Sequence, residues 1–151
     1  MTTLLYLDDI APGQVFERGS VTIQTRDIQA FAEKFDPQAF HLNEDAAKDS
    51  IFRGLAASGW QTVSITQRLL VEGAAPFAGG VIGAGVELNW PKPTRPGDTL
   101  SVRSEILDIT PSRSKPDRGV VRMKVETRNQ NGDIVLSMVG KMLVFRRPGQ
   151  T

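Results

Sequence analysis

The 151-residue sequence predicts an α+β fold in which an antiparallel sheet of about five strands encloses one central helix. Three features carry this prediction. Helical periodicity is confined to the first half of the chain and period-two alternation to the second. A helix beginning near Ser58 has apolar residues around much of its circumference, as a helix placed inside other structure does. The last strand is apolar on both faces. At this length one sizeable core is expected, so residues 1–151 are read as a single domain with a single site.

In chain order, residues 15–23 suit a first strand. In "QTRDIQAFAEKFDP", Thr25 can cap a helix whose first turn carries Asp27, a favourable charge at that end. Ile28, Phe31, Ala32 and Phe35 recur at helical spacing as one buried stripe. Pro37 ends the run because its ring disfavours the α region for Asp36. Asn43 can cap a short helix over 44–48, which leaves His41 in an irregular link. The central helix follows "FRGLAASGW" and runs from Ser58 to near Val71, with Gly73 as its stop. Gly79, Gly80, Gly83 and Gly85 read as strand bends, not as a phosphate loop, because no strand precedes them and no helix follows.

Strands are expected near 83–89 and 99–109, joined by the turn "WPKPTRPGD". In "GVVRMKVETR", Val121, Met123, Val125 and Thr127 face one way and Arg122, Lys124, Glu126 and Arg128 the other, giving one wet face. Asn131-Gly132 signals a hairpin into the last strand. There Ile134, Leu136, Met138, Met142 and Val144 share one face and Val135, Val139, Leu143 and Phe145 the other.

Composition narrows the function classes. The chain has no cysteine, which excludes disulfides, thiol nucleophiles and thiolate metal sites. A net charge of +1, with no dense basic stripe, argues against a nucleic-acid partner. No apolar run is long enough for a membrane segment and no export signal opens the chain, so the cytoplasm is the expected compartment. One histidine and scattered carboxylates lack the paired spacing of a metal site, and no cofactor is expected. Gly-x-Ser-x-Gly, the elbow of serine hydrolases, is absent. The loop "TPSRSKPDRG" gathers Arg113, Lys115 and Arg118, which suits solvated charge or contact with the phosphates of a nucleotide carrier.

The chemistry-bearing residues are Asp36 and His41, five positions apart across "PQAF". Together a carboxylate and an imidazole can hold one water, accept a proton from it and return one to a substrate. The same spacing suits a carboxylate that merely orients a surface imidazole or caps the Asn43 helix. The third element is Gly59. In the first turn of the central helix its amide has no intrahelical partner and the helix dipole is positive, the geometry of an oxyanion site. A small residue there equally suits close packing of helix against sheet.

These elements line up with a known family: the sequence resembles the MaoC-like dehydratases, which include (R)-specific enoyl-CoA hydratases. Members carry an Asp and a His five apart in a motif written roughly D-x-N-P-x-H, with a helix-opening glycine eighteen residues later. Asp36, His41 and Gly59 occupy those positions. This chain reads D-P-Q-A-F-H, with Gln38 in place of the asparagine. The similarity continues through "GVELNWPKPTRPGDTL", "ILDITPSRSKPDRGVV" and "ETRNQNGDIVLSMVGKMLVF", covering most of residues 10–146. The resemblance implies a hot-dog fold, pairing with a second copy as a homodimer or a dimer of dimers, and an acyl-CoA thioester as the partner molecule. It implies reversible syn hydration of a 2-enoyl-CoA to a 3-hydroxyacyl-CoA, with catalysis by Asp36, His41 and Gly59 and with Asp36 preferred as the base. A non-catalytic acyl-thioester binding module and a hot-dog thioesterase are the alternatives.

Overall fold

A computed structural model of the chain describes residues 3–149. Five strands form one antiparallel sheet: β1 (Val15–Thr22), β2 (Ile82–Asn89), β3 (Thr99–Pro111), β4 (Arg118–Arg128) and β5 (Ile134–Phe145), in the spatial order β1-β3-β4-β5-β2. Four α-helices lie between β1 and β2 in the chain, α1 (Thr25–Phe35), α2 (Ala39–Leu42), α3 (Glu44–Lys48) and α4 (Gly59–Leu69), and a π-helical turn (Leu70–Ala74) continues α4. The sheet packs around α4, the α+β arrangement expected from the sequence. No helix among the described residues is long and apolar enough to cross a membrane.

The alternation of β4 is realised. Val121, Met123, Val125 and Thr127 are buried, while Arg122 and Lys124 are exposed. Against this dry face pack Leu69 and Leu70 at the end of α4, together with Leu136, Met138, Met142 and Val144 of β5. A second, smaller core of Ile23, Ile28, Ala47, Leu55 and Ala57 lies under α1 and α3 and fixes the helical segment that carries the site.

Several expectations are corrected. Ile134 does not share a face with Leu136. The β4–β5 register shifts so that Thr127 pairs with Leu136 but Arg128 with Ile134, and the intervening Val135 is buried instead. One extra residue in a strand reverses the parity beyond it. Phe35, placed on the buried stripe of α1, is 67% exposed at the helix end, where it leans on Phe31 at 5.2 Å between centroids. Thr25 is the first helical residue and not the cap. The Asp27 carboxylate reaches back to accept the Gln24 N–H at 2.8 Å. Gly79 and Gly80 turn the chain before β2 with φ of 88° and 96°; only Gly83 and Gly85 lie in a strand, across a register shift.

The central helix is less apolar on its inner side than its sequence suggests. Its buried positions include Gln61, Thr62 and Thr66, while Trp60 is 58% exposed and Val71 is also exposed. The threonines are tolerated because each hydroxyl is paired: Thr66 Oγ1 with the Thr62 carbonyl and the Thr127 hydroxyl, Thr62 Oγ1 with the Thr94 hydroxyl.

Candidate active site

Asp36 leaves α1 at its C-cap, its N–H still bonded to the Ala32 carbonyl at 2.9 Å. Pro37 prevents the helix from continuing. The chain then makes a single helical turn, α2, in place of the irregular link expected around His41. That turn swings the imidazole inward: His41 is only 4% exposed. Asn43 caps the next helix as expected, its Oδ1 accepting the Ala46 N–H at 2.9 Å.

His41 Nδ1 lies 2.6 Å from the main-chain oxygen of Ala56. A carbonyl can only accept, so Nδ1 carries the hydrogen and Nε2 is left to face the other way. Nε2 is 3.3 Å from Asp36 Oδ2. The carboxylate and the imidazole are thus a pair, and the alternative of a surface imidazole does not hold.

Burial raises the proton affinity of Asp36, but hydrogen bonding from the Gln38 amide and the Ser58 hydroxyl, together with the nearby His41, outweighs it. The net effect holds the carboxyl below the ordinary aspartate range. Gln38 Nε2 donates to Asp36 Oδ1 at 2.6 Å. The residue that departs from the family motif is therefore a direct partner of the carboxylate. Neither Gln38 nor Ser58 was singled out in the sequence as a partner of Asp36.

Ser58 caps α4, its Oγ accepting the Trp60 N–H at 3.3 Å. Gly59 follows as the first helical residue, and its amide has no hydrogen-bond partner among the described residues. Its Cα is covered by the Trp90 indole. A Cβ at this position would stand 2.5 Å from Trp90 Cε2, and the indole N–H donates to the Gly59 carbonyl at 3.0 Å. The carbon of this glycine serves packing against Trp90, and its amide is left without a partner among the described residues.

Asp36, His41 and Gly59 line one cavity of about 340 Å³. Its walls are aromatic, from Phe40, Phe52, Trp60 and Trp90. Trp60 and Trp90 meet edge to face with centroids 5.4 Å apart, and Phe40 stands edge-on to the His41 ring at 4.6 Å. An apolar lining of this kind lowers the local dielectric and strengthens charge interactions beside it. No three His, Asp or Glu side chains among the described residues converge on a common point.

The pattern of the MaoC like domain matches residues 9–129. The chain belongs to the MaoC-like family. A solved MaoC-like dehydratase from Rhodospirillum rubrum is 53% identical and superposes with a TM-score of 0.93, covering 95% of this chain and 99% of that one. The uncharacterized protein YdeM of Bacillus subtilis is 39% identical over 127 residues, 82% of this chain and 87% of YdeM. An (R)-specific enoyl-CoA hydratase of Rhodospirillum rubrum is 29% identical over 111 residues, 73% of this chain and 75% of that protein. The hot-dog fold of this MaoC-like chain, with its sheet around α4, agrees with these likenesses.

Proposed function

We propose that the protein is an acyl-CoA hydratase/dehydratase that adds water reversibly, in the syn sense, across the double bond of a 2-enoyl-CoA thioester. The observation that carries this reading is the pairing of His41 Nε2 with Asp36 Oδ2 at 3.3 Å in a cavity that is also lined by Gly59, whose amide is unbonded. Membership of a dehydratase family and similarity to an (R)-specific enoyl-CoA hydratase support it.

The chemistry follows from these groups. A water held between Asp36 and Nε2 gives a proton to Asp36 as its oxygen bonds to the β-carbon of the substrate. The π electrons move toward the thioester, and negative charge collects on its oxygen. The Gly59 N–H receives that charge, and one such donor in a preorganised site is worth about 3 kcal/mol. The pair then returns one proton, through Nε2, to the α-carbon. General acid–base work of this kind contributes roughly a hundredfold or more.

The same pocket acting on the thioester carbon would release free CoA, and binding without turnover would leave the thioester unchanged. Incubating the protein with a panel of trans-2-enoyl-CoA thioesters separates the three. Formation of 3-hydroxyacyl-CoA without free thiol is expected.

A homodimer completes the proposal. β2 is an edge strand exposed at nearly every position, and Val86 on its inner face is 55% exposed beside a groove shared with Val63 and Gln67 of α4. Open strand edges and uncovered apolar side chains are the features that a second copy satisfies. Light scattering on the purified protein is expected to give twice the chain mass or a multiple of it.

A further inference from the structure

The connector between β2 and β3 carries a cation that the reaction scheme above does not use. Arg95 is half-buried, and no carboxylate among the described residues pairs with its guanidinium. Its donors go instead to three main-chain carbonyls of one segment. Nη1 donates to the Gly54 oxygen at 2.9 Å and to the Leu55 oxygen at 3.2 Å, and Nη2 donates to the Phe52 oxygen. A planar fork of donors suits such a convergence, whereas a lysine ammonium is a point charge on a flexible stem.

That segment leads directly into the site. Ala56 supplies the oxygen that orients His41, and Ser58 and Gly59 open α4. The segment is also anchored by the Phe52 N–H on the Ser50 hydroxyl at 3.1 Å, the Arg53 N–H on the Ser50 carbonyl at 3.0 Å, the Ala56 N–H on the Phe40 carbonyl at 3.3 Å and the Ala57 N–H on the Thr94 carbonyl at 2.9 Å. Between the carbonyls that Arg95 grips lies Arg53, with φ of 55°, a left-handed conformation that a side chain other than glycine or asparagine adopts at a cost. Such a residue persists where its surroundings over-determine it, and Arg95 bonds the carbonyls on both sides of it.

We propose that Arg95 is a positioning residue: by fixing the main chain from Phe52 to Leu55 it sets the Ala56 oxygen that orients the His41 imidazole and the amide that opens α4. The kinetic part rests on the hydratase reading. The geometric part does not.

The chain's single histidine allows a direct test, because ¹⁵N-histidine labelling reports one imidazole. At alkaline pH, wild-type His41 is expected to show the signature of a ring that carries its hydrogen on Nδ1, the nitrogen facing the Ala56 oxygen. R95M is expected to lose that signature in favour of mixed tautomers. Its kcat should fall about ten- to a hundredfold with KM changed far less, the scale of a misplacement near 1 Å. R95K, with fewer donors, should fall between the two. A folded R95M with the wild-type imidazole pattern and wild-type kcat overturns the proposal, and so does a variant that loses thermal stability alone. If R95M does not fold, R95K decides by the same two readings. If the wild type hydrates no enoyl thioester, the imidazole signals still accept or reject the positioning role.

Discussion

The side-chain amide of Gln38 donates to Asp36 Oδ1 at 2.6 Å, so the residue two positions beyond the carboxylate is one of the groups that keep it ionised. In the family motif this position is an asparagine. Here an exposed glutamine side chain reaches back past Pro37 to the carboxylate.

Replacing Gln38 with leucine removes that donor and leaves burial, which favours the protonated acid, less opposed. The Asp36 pKa is then expected to rise, and the acid limb of kcat/KM moves to higher pH. A pH–rate profile of Q38L against wild type reads this, and an unmoved acid limb contradicts it. By linkage, the same rise in pKa is expected to lower the melting temperature of Q38L somewhat at neutral pH.

The same carboxyl links stability to pH. Its folded-state pKa is depressed, so its contribution is present above the unfolded value and is lost as pH falls through the folded value. D36N abolishes this dependence. Melting temperatures of wild type and D36N should therefore be furthest apart near neutrality and converge in acid, where the wild-type carboxyl is protonated too. A constant difference across the range would contradict it.

Gly59→Ala sets a methyl group against the Trp90 indole, at 2.5 Å from Cε2 if nothing moves. Overpacking of this kind costs about 1–3 kcal/mol. In a Trp90→Ala background the clash is absent and the cost of G59A should largely vanish. Denaturant unfolding of the double-mutant cycle measures the coupling. Equal costs of G59A in both backgrounds would mean that the indole is not what selects glycine here.

The fold and part of the site were legible in the sequence for a physical reason: their signals are local. Pro37 stops α1 by its own ring, and Asp36 and His41 are brought together by one turn of chain, so their spacing encodes their meeting. Alternation in β4 records one wet and one dry face. What escaped depends on partners far away in the chain or on a single inserted residue. The bulge at Val135 reverses the face of Ile134 with no change in composition. Thr62 and Thr66 read as polar gaps until Thr94 and Thr127 are seen to pair with them. The Trp90 indole over Gly59 and the Arg95 fork on Phe52, Gly54 and Leu55 each join segments more than thirty positions apart. Gln38 is the exception: it is local, and an i+2 donor beside a carboxylate could have been read from the sequence.

The central claim is that Asp36 and His41 act together on one water. Hydration of trans-2-enoyl-CoA thioesters by wild type, D36N and H41A, followed as loss of the conjugated enoyl absorbance with the fold of each variant verified, tests it most directly. The account predicts turnover by the wild type and a loss of about a hundredfold or more in each variant. Wild-type protein that hydrates none of the panel, or a folded D36N that matches it, would contradict the account.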